Sequence, residues 1–301
     1  EVRQPNSKDL TIREKQMQTK ISSDKKEVII GHDQPVVAIG ERINPTGRSK
    51  LAKALEEGDF GYVQNEALKQ VEAGAQVLGI NVGVSGSDEQ ALMIDGIHAV
   101  REVTDTPFCI DSAKPGVLRA GLEVYKGKAL VNSVNGEEAK LKEVLPMVAE
   151  YKSAVVALTM DDKGIPTDVS TRLAIADKIL NEASKLGIPI EDVIIDPLAM
   201  SVAADDQAGL SALDSLAQIR DRFGVTQTIG ASNVSYGLPA RRTINCVFLA
   251  MAIVNGLTCP ITDPTVWDIR QTLLLTDLFH GKDSFAMNFI GAYRDQFPED
   301  D

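Results

Sequence analysis

The chain has 301 residues, 44% hydrophobic and 25% charged, the balance of a soluble globular protein with room for one large domain or two ordinary ones. Its formal charge of −12 argues against nucleic acid or an anionic membrane surface as a partner. No apolar run approaches the roughly 20 residues that cross a bilayer, so no membrane is expected.

The N-terminal stretch EVRQPNSKDLTIREKQMQTK has no apolar core of the signal-peptide kind. Three widely separated cysteines, Cys109, Cys246 and Cys259, argue against a disulfide framework and for a cytoplasmic location. Residues 1–35 are polar, lack a sustained apolar period, and read as an arm that packs on the main body or stays partly mobile. Residues 36–301 read as one domain.

That domain begins with VVAIGERIN (36–44), a short β-branched run ending in polar residues. A helical stretch follows in which Leu51, Leu55, Val63, Leu68 and Val71 recur before Gly74 stops it. The same alternation then repeats. The later strands are predicted over 76–83, 107–112, 129–136, 153–162, 193–198, 227–235 and 259–264. Amphipathic helices such as 172–187 and 210–224 fill the gaps, and both close on glycine. Apolar strands alternating with helices imply a parallel sheet buried on both faces. Eight such units predict an α/β fold of the (β/α)8 class, a TIM barrel in a single domain with a short N-terminal extension. The rival, an open doubly wound sheet, usually carries G-x-G-x-x-G after its first strand, and GERINPTG lacks that spacing.

Barrel chemistry sits at the C-terminal strand ends. In chain order these ends supply Glu41 and Asn44, Asn81, Asp111, Asn132 and Asn135, Asp161 and Asp162, Asp196, Ser232 and Asn233, then Asp263. Carboxylates and amides dominate, and the three histidines, His32, His98 and His280, fall elsewhere. No metal is therefore expected, and neither zinc spacing nor a Ser/His/Asp set occurs. Carboxylates accept from N–H groups while amides give and accept, so such a rim suits a flat neutral heterocycle. A pterin and a purine both satisfy it. Taken singly, each Asp or Asn has a structural alternative, as a helix cap or turn residue.

Six fragments, IGERINPTG (39–47), INVG (80–83), CIDS (109–112), LVNSVNGE (130–137), IIDPL (194–198) and GASNVSYGLPARR (230–242), together resemble the pterin-binding methyltransferases. That family includes methyltetrahydrofolate:corrinoid protein methyltransferases and the folate module of cobalamin-dependent methionine synthase. The likeness runs from about residue 36 to about residue 280. It implies that Asp111, Asn132 and Asp196 hold the pterin ring. It also implies that Asn233 lies beside N5 and the transferred methyl, with Gly230 and Ser232 in the same loop and Arg241 beyond it. Asn233 and Asp196 are the implied catalytic pair, and Glu41, Asn81 and Asp161 are further rim candidates.

The substrate implied is tetrahydrofolate or 5-methyltetrahydrofolate. The corrinoid (cobalamin) would be carried on a partner protein, because the D-x-H-x-x-G cobalamin signature is missing here. A homodimer is also implied, and O-demethylation is one setting for such an enzyme. Arg241 has three readings: a partner for the folate glutamate tail, a contact for the corrinoid protein, or a brace for the following helix. Many relatives carry an acid two places before the Asn of INVG, where this chain has Gly79. Three alternatives remain: a dihydropteroate synthase-like pterin enzyme, which favours cations at the mouth for its pyrophosphate; a non-catalytic folate-binding subunit; and a phosphate-binding barrel built on NVSYGLPARR.

Overall fold

The computed structural model describes residues 17–298, so residues 1–16 of the expected arm lie outside the described residues. Much of the remaining arm is a hairpin in which β1 (Gln18–Ser23) and β2 (Glu27–Gly31) pair antiparallel. Ile21, Val28 and Ile30 share its buried face, with the more exposed Lys20, Ser22, Glu27 and Ile29 between them, as the two-residue period of a strand requires.

The barrel strands are β3 (Ile39–Ile43), β4 (Val77–Ile80), β5 (Phe108–Asp111), β7 (Leu130–Asn135), β8 (Ala154–Leu158), β9 (Val193–Asp196) and β10 (Ile261–Thr262). The short β6 (Gly127–Lys128) pairs with β1 instead. The seven form one parallel sheet in the order β10–β3–β4–β5–β7–β8–β9. The ring closes between β9 and β10 through residues 227–230, where Gln227 bridges Ile195 and Gly230 bridges Ile261, both in parallel sense. This is the (β/α)8 arrangement expected from the eight repeats.

The helices are α1 (Ser49–Glu57), α2 (Phe60–Glu72), α3 (Glu89–Val103), α4 (Pro115–Val124), α5 (Glu138–Tyr151), α6 (Val169–Lys185), α7 (Ala208–Phe223), α8 (Arg241–Val254), α9 (Trp267–Phe279) and α10 (Met287–Gln296). Three details correct the sequence pattern. The single helix expected after the first strand is two, because Gly58 turns left-handed at φ 70° and Asp59 then caps α2. The seventh strand, expected to 235, gives way to a 3-10 turn over Ala231–Ser235. A further helix, α10, follows the region in which elements were assigned.

Inward side chains Ile39, Val77, Cys109, Leu130, Val156, Ile194 and Cys259 pack with Ile21, Val28 and Ile30 in one cluster. The hairpin therefore floors the barrel. Its polar edge is tied in where Ser23 Oγ donates to the Asp105 carbonyl at 2.7 Å and Thr19 Oγ1 to that of Glu191 at 2.6 Å. A second cluster joins the outer strand faces to α1–α7. With the lower end filled by apolar groups, the polar strand ends are left to the upper one.

Candidate functional site

At that upper end lies a cavity of about 360 Å³, and Glu41, Asp111, Asn132, Gly230, Ser232 and Asn233 are on its wall. Strand register sets the first part of this grouping, because Asp111 on β5 stands opposite Asn132 on β7. Asn81, after β4, donates from Nδ2 to Asp111 Oδ2 at 3.1 Å and accepts from the Gly83 N–H at 2.9 Å. It thereby orients the Asp111 carboxyl. Burial pushes that carboxyl up to about 6, while the Asn81 bond pulls the other way.

The opposite wall is made by the turn that replaces the seventh strand. Ser232 Oγ donates to Glu41 Oε1 at 3.0 Å, joining the turn to β3. Burial raises the Glu41 pKa, with the Ser232 bond opposing and the charge of Asp263 adding to the rise. Asn233 is exposed at the mouth and folds over Gly230, where a β-carbon would meet Asn233 Nδ2 at 3.1 Å. Arg241, the first residue of α8, donates to the Ser232 carbonyl at 2.8 Å and to Ser235 Oγ at 3.1 Å. It braces the turn from below and also lines an adjoining cavity of about 440 Å³ with Glu41, Arg42, Arg242 and Asn245.

Four predicted residues are not on this wall: Asn81 and Arg241 touch it through Asp111 and Ser232, while Asp196 and Asp161 do not. Asp196 ends β9 and is fully enclosed. Its Oδ1 accepts the Leu198 N–H at 2.7 Å, and burial pushes it up to about 7 despite the nearby Arg172. Asp161 lies in a tight turn bridged to Gly164, with its Oδ1 accepting from the Lys163 N–H at 2.9 Å. That geometry is the structural alternative for an Asp at a strand end. Gly79 lines the cavity, and a β-carbon there would come within 2.9 Å of the Gly40 carbonyl oxygen. The strands approach too closely for an acid at that point.

Sequence reading missed the cations. Arg42 and Arg48 also line the main cavity. Glu66 of α2 binds Arg48 at 2.5 Å and Arg42 at 3.6 Å, and Asp263 holds Arg42 at 3.1 Å. Arg48 keeps one buried nitrogen, NH1, without a hydrogen-bond partner among the described residues. The signal was present in GERINPTGR, but the pairing to Glu66 spans a helix and could not be read locally. Because both arginines are neutralised, the mouth is amide- and carboxyl-rich in effect as well as in composition. It offers acceptors to ring and amino N–H groups and donors to a ring carbonyl.

A family model described as pterin binding enzyme matches residues 40–263. The chain is 31% identical over 262 residues to a methylcorrinoid:tetrahydrofolate methyltransferase of Eubacterium limosum, covering 86% of this chain and 96% of that one. It is 31% identical over 239 residues to methionine synthase of Mycobacterium leprae (strain TN), covering 75% of this chain but only 20% of that protein. Among solved structures, dihydropteroate synthase of Yersinia pestis superposes with a TM-score of 0.66 at 15% identity, covering 87% of this chain and 99% of that one. The enzyme of the same name from Xanthomonas albilineans gives 0.63 at 19%, covering 85% and 96%. At such identities the structural likeness speaks for the fold alone.

Proposed function

We propose that this chain, which belongs to the family of pterin-binding enzymes, exchanges a methyl group between N5 of tetrahydrofolate and the cobalt of a corrinoid carried on a separate protein. The observation that carries the reading is the match to the Eubacterium limosum methyltransferase along nearly the whole of both chains. The cavity supports it through the chemistry of its wall. In this reading Asp111 and Asn132 accept and donate along the amino and ring N–H edge of the pterin, and Asp196 at the end of β9 completes the set that holds the ring.

Asn233 then hydrogen-bonds N5 as its charge changes during transfer. Its exposure at the rim suits a group that must meet a macromolecular co-substrate. The corrinoid protein docks over this mouth, where cobalt reaches the methyl. Cobalt(I) is itself a strong nucleophile, so the protein supplies orientation and polarisation and needs no nucleophilic side chain. The adjoining cavity suits the folate's benzoyl-glutamate tail, with Arg241 on its wall to meet the tail's carboxylates.

The dihydropteroate synthase alternative is weaker on this geometry, since a pyrophosphate needs unspent cations and Arg42 and Arg48 are already paired. The experiment is direct. Protein, methyltetrahydrofolate and cob(I)alamin are mixed, and the cobalt(I) absorbance is followed; the reverse uses methylcobalamin and tetrahydrofolate. Catalysed loss of the cobalt(I) signal is expected. Binding of methyltetrahydrofolate with no cobalt methylation would instead leave a folate-binding subunit. Asn233→Ala should slow transfer about 10- to 1000-fold, the range for removing one transition-state donor. An unchanged rate would remove Asn233 from the mechanism.

A further inference from the structure

Transfer of a methyl from N5 leaves an amine nitrogen that must take up a proton, and an amide such as Asn233 cannot provide one. We infer that Glu41 is the acid that hands the proton to N5. This step rests on the methyl-transfer reading above.

Two carboxyl groups line the main cavity among the described residues, those of Glu41 and Asp111. Around the ring, the segment 227–230 neighbours β10, which neighbours β3, whereas β5 is two strands further on. In an eight-position barrel Asp111 therefore lies diametrically across from the Asn233 turn, while Glu41 is two positions from it. Ser232, adjacent to Asn233 in the chain, donates to Glu41 Oε1 at 3.0 Å. Acid and amide thus share one side of the site. Between Glu41 and Asp111, β4 offers only Gly79, where the Gly40 carbonyl excludes a side chain.

Charge around Glu41 suits both protonation states. Burial, with Asp263 at the end of β10, favours the neutral acid; the Ser232 hydroxyl, with Arg42 on β3 and Arg241 on α8, favours the carboxylate. Asp111 faces the same cavity from β5. As the cobalt(I) electron pair forms the Co–C bond, the C–N5 bond breaks. The N5 electron pair takes the Glu41 proton, and the resulting carboxylate is held by Ser232 until solvent reprotonates it. In the reverse direction the same carboxylate removes the N5 proton while the methyl arrives.

The test compares the intact protein with E41Q and E41D in the cob(I)alamin assay across pH, alongside calorimetric binding of methyltetrahydrofolate. E41Q should bind the folate, transfer its methyl about 100- to 10,000-fold more slowly, and lose the fall in rate that the parent shows as pH rises through the Glu41 pKa. E41D, which keeps a carboxyl, should retain that fall and recover part of the rate. E41Q with the parent's rate or pH profile, or a loss confined to folate binding, would overturn the assignment; so would E41D without the alkaline fall. A parent protein that binds the folate yet never consumes cob(I)alamin would refute the methyl-transfer reading itself, a result distinct from failure at Glu41.

Discussion

Asp196 is a buried acid with a pKa of about 7 and Asp111 a half-buried one with a pKa of about 6, and both shifts arise first from loss of solvent. A carboxyl whose folded pKa lies above its unfolded one stabilises the fold fully at low pH. It loses that contribution as pH climbs through the folded value. For Asp196 the window runs from the ordinary Asp range near 4 up to about 7. Replacing it by Asn keeps an acceptor for the Leu198 N–H but removes the ionisation. Urea unfolding at pH 5 and pH 8 should therefore show the parent losing about 2–3 kcal/mol more than Asp196→Asn across that interval. Equal pH dependence in both proteins would mean that Asp196 ionises normally.

The residue scale also shows what local pattern can deliver. Asp111, Asn132, Ser232 and Asn233 were readable because period and position put them at strand ends. Asp161 met the same criterion and is spent in a turn, which only the bridge to Gly164 reveals. Arg42, Arg48 and Glu66 were invisible as a set because their pairing depends on how α2 lies against the end of β3.

Between residues and molecule stand the elements, and the hairpin is the clearest case of one hidden in the sequence. Its strands are six and five residues long, QTKISS with one aliphatic side chain and EVIIG with three. Neither is long enough to announce a buried element. Burial appears only once β1 crosses the bottom of the barrel and Ile21 and Ile30 enter the interior cluster. Both are wholly enclosed, so truncating Ile21 to Ala leaves a cavity on the barrel axis. A loss of about 2–5 kcal/mol is expected in denaturant unfolding, with little change in folate binding because the site is at the other end. A change below about 0.5 kcal/mol, typical of surface positions, would show that the floor contributes nothing to stability. The seventh strand makes the opposite point. QTIGASNVS has an apolar start that supports a strand, but its Ser-Asn-rich end forms a turn closed by the Asn233 N–H to the Gly230 carbonyl at 3.2 Å. That early ending brings Ser232 to Glu41.

For the molecule as a whole, eight regular repeats made the barrel legible, since each unit announces itself by period and only closure is non-local. What the repeats do not announce is the outer surface of α8. From Thr243 to Val254 this helix has no charged residue, and a helix apolar on every side is normally a buried one. Phe248, Leu249 and Ala252 do face the core, yet Val247, Met251 and Val254 stand 56%, 49% and 60% exposed. With Leu210 and Leu213 of α7, Val247 and Met251 line an apolar groove of about 460 Å³. In a chain of charge −12, like molecules repel over most of their surface, and an uncharged strip is where two copies meet at least electrostatic cost. We propose the homodimer through this face. Sedimentation should give a dimer for the parent and a monomer for Met251→Lys, whose buried ammonium would have no partner across the axis. A parent that sediments as a monomer, or a Met251→Lys dimer of unchanged affinity, would move the contact elsewhere or abolish it. Because the strip lies on the flank of the barrel and the cavity at its end, the monomeric variant should still bind methyltetrahydrofolate, which separates assembly from the site.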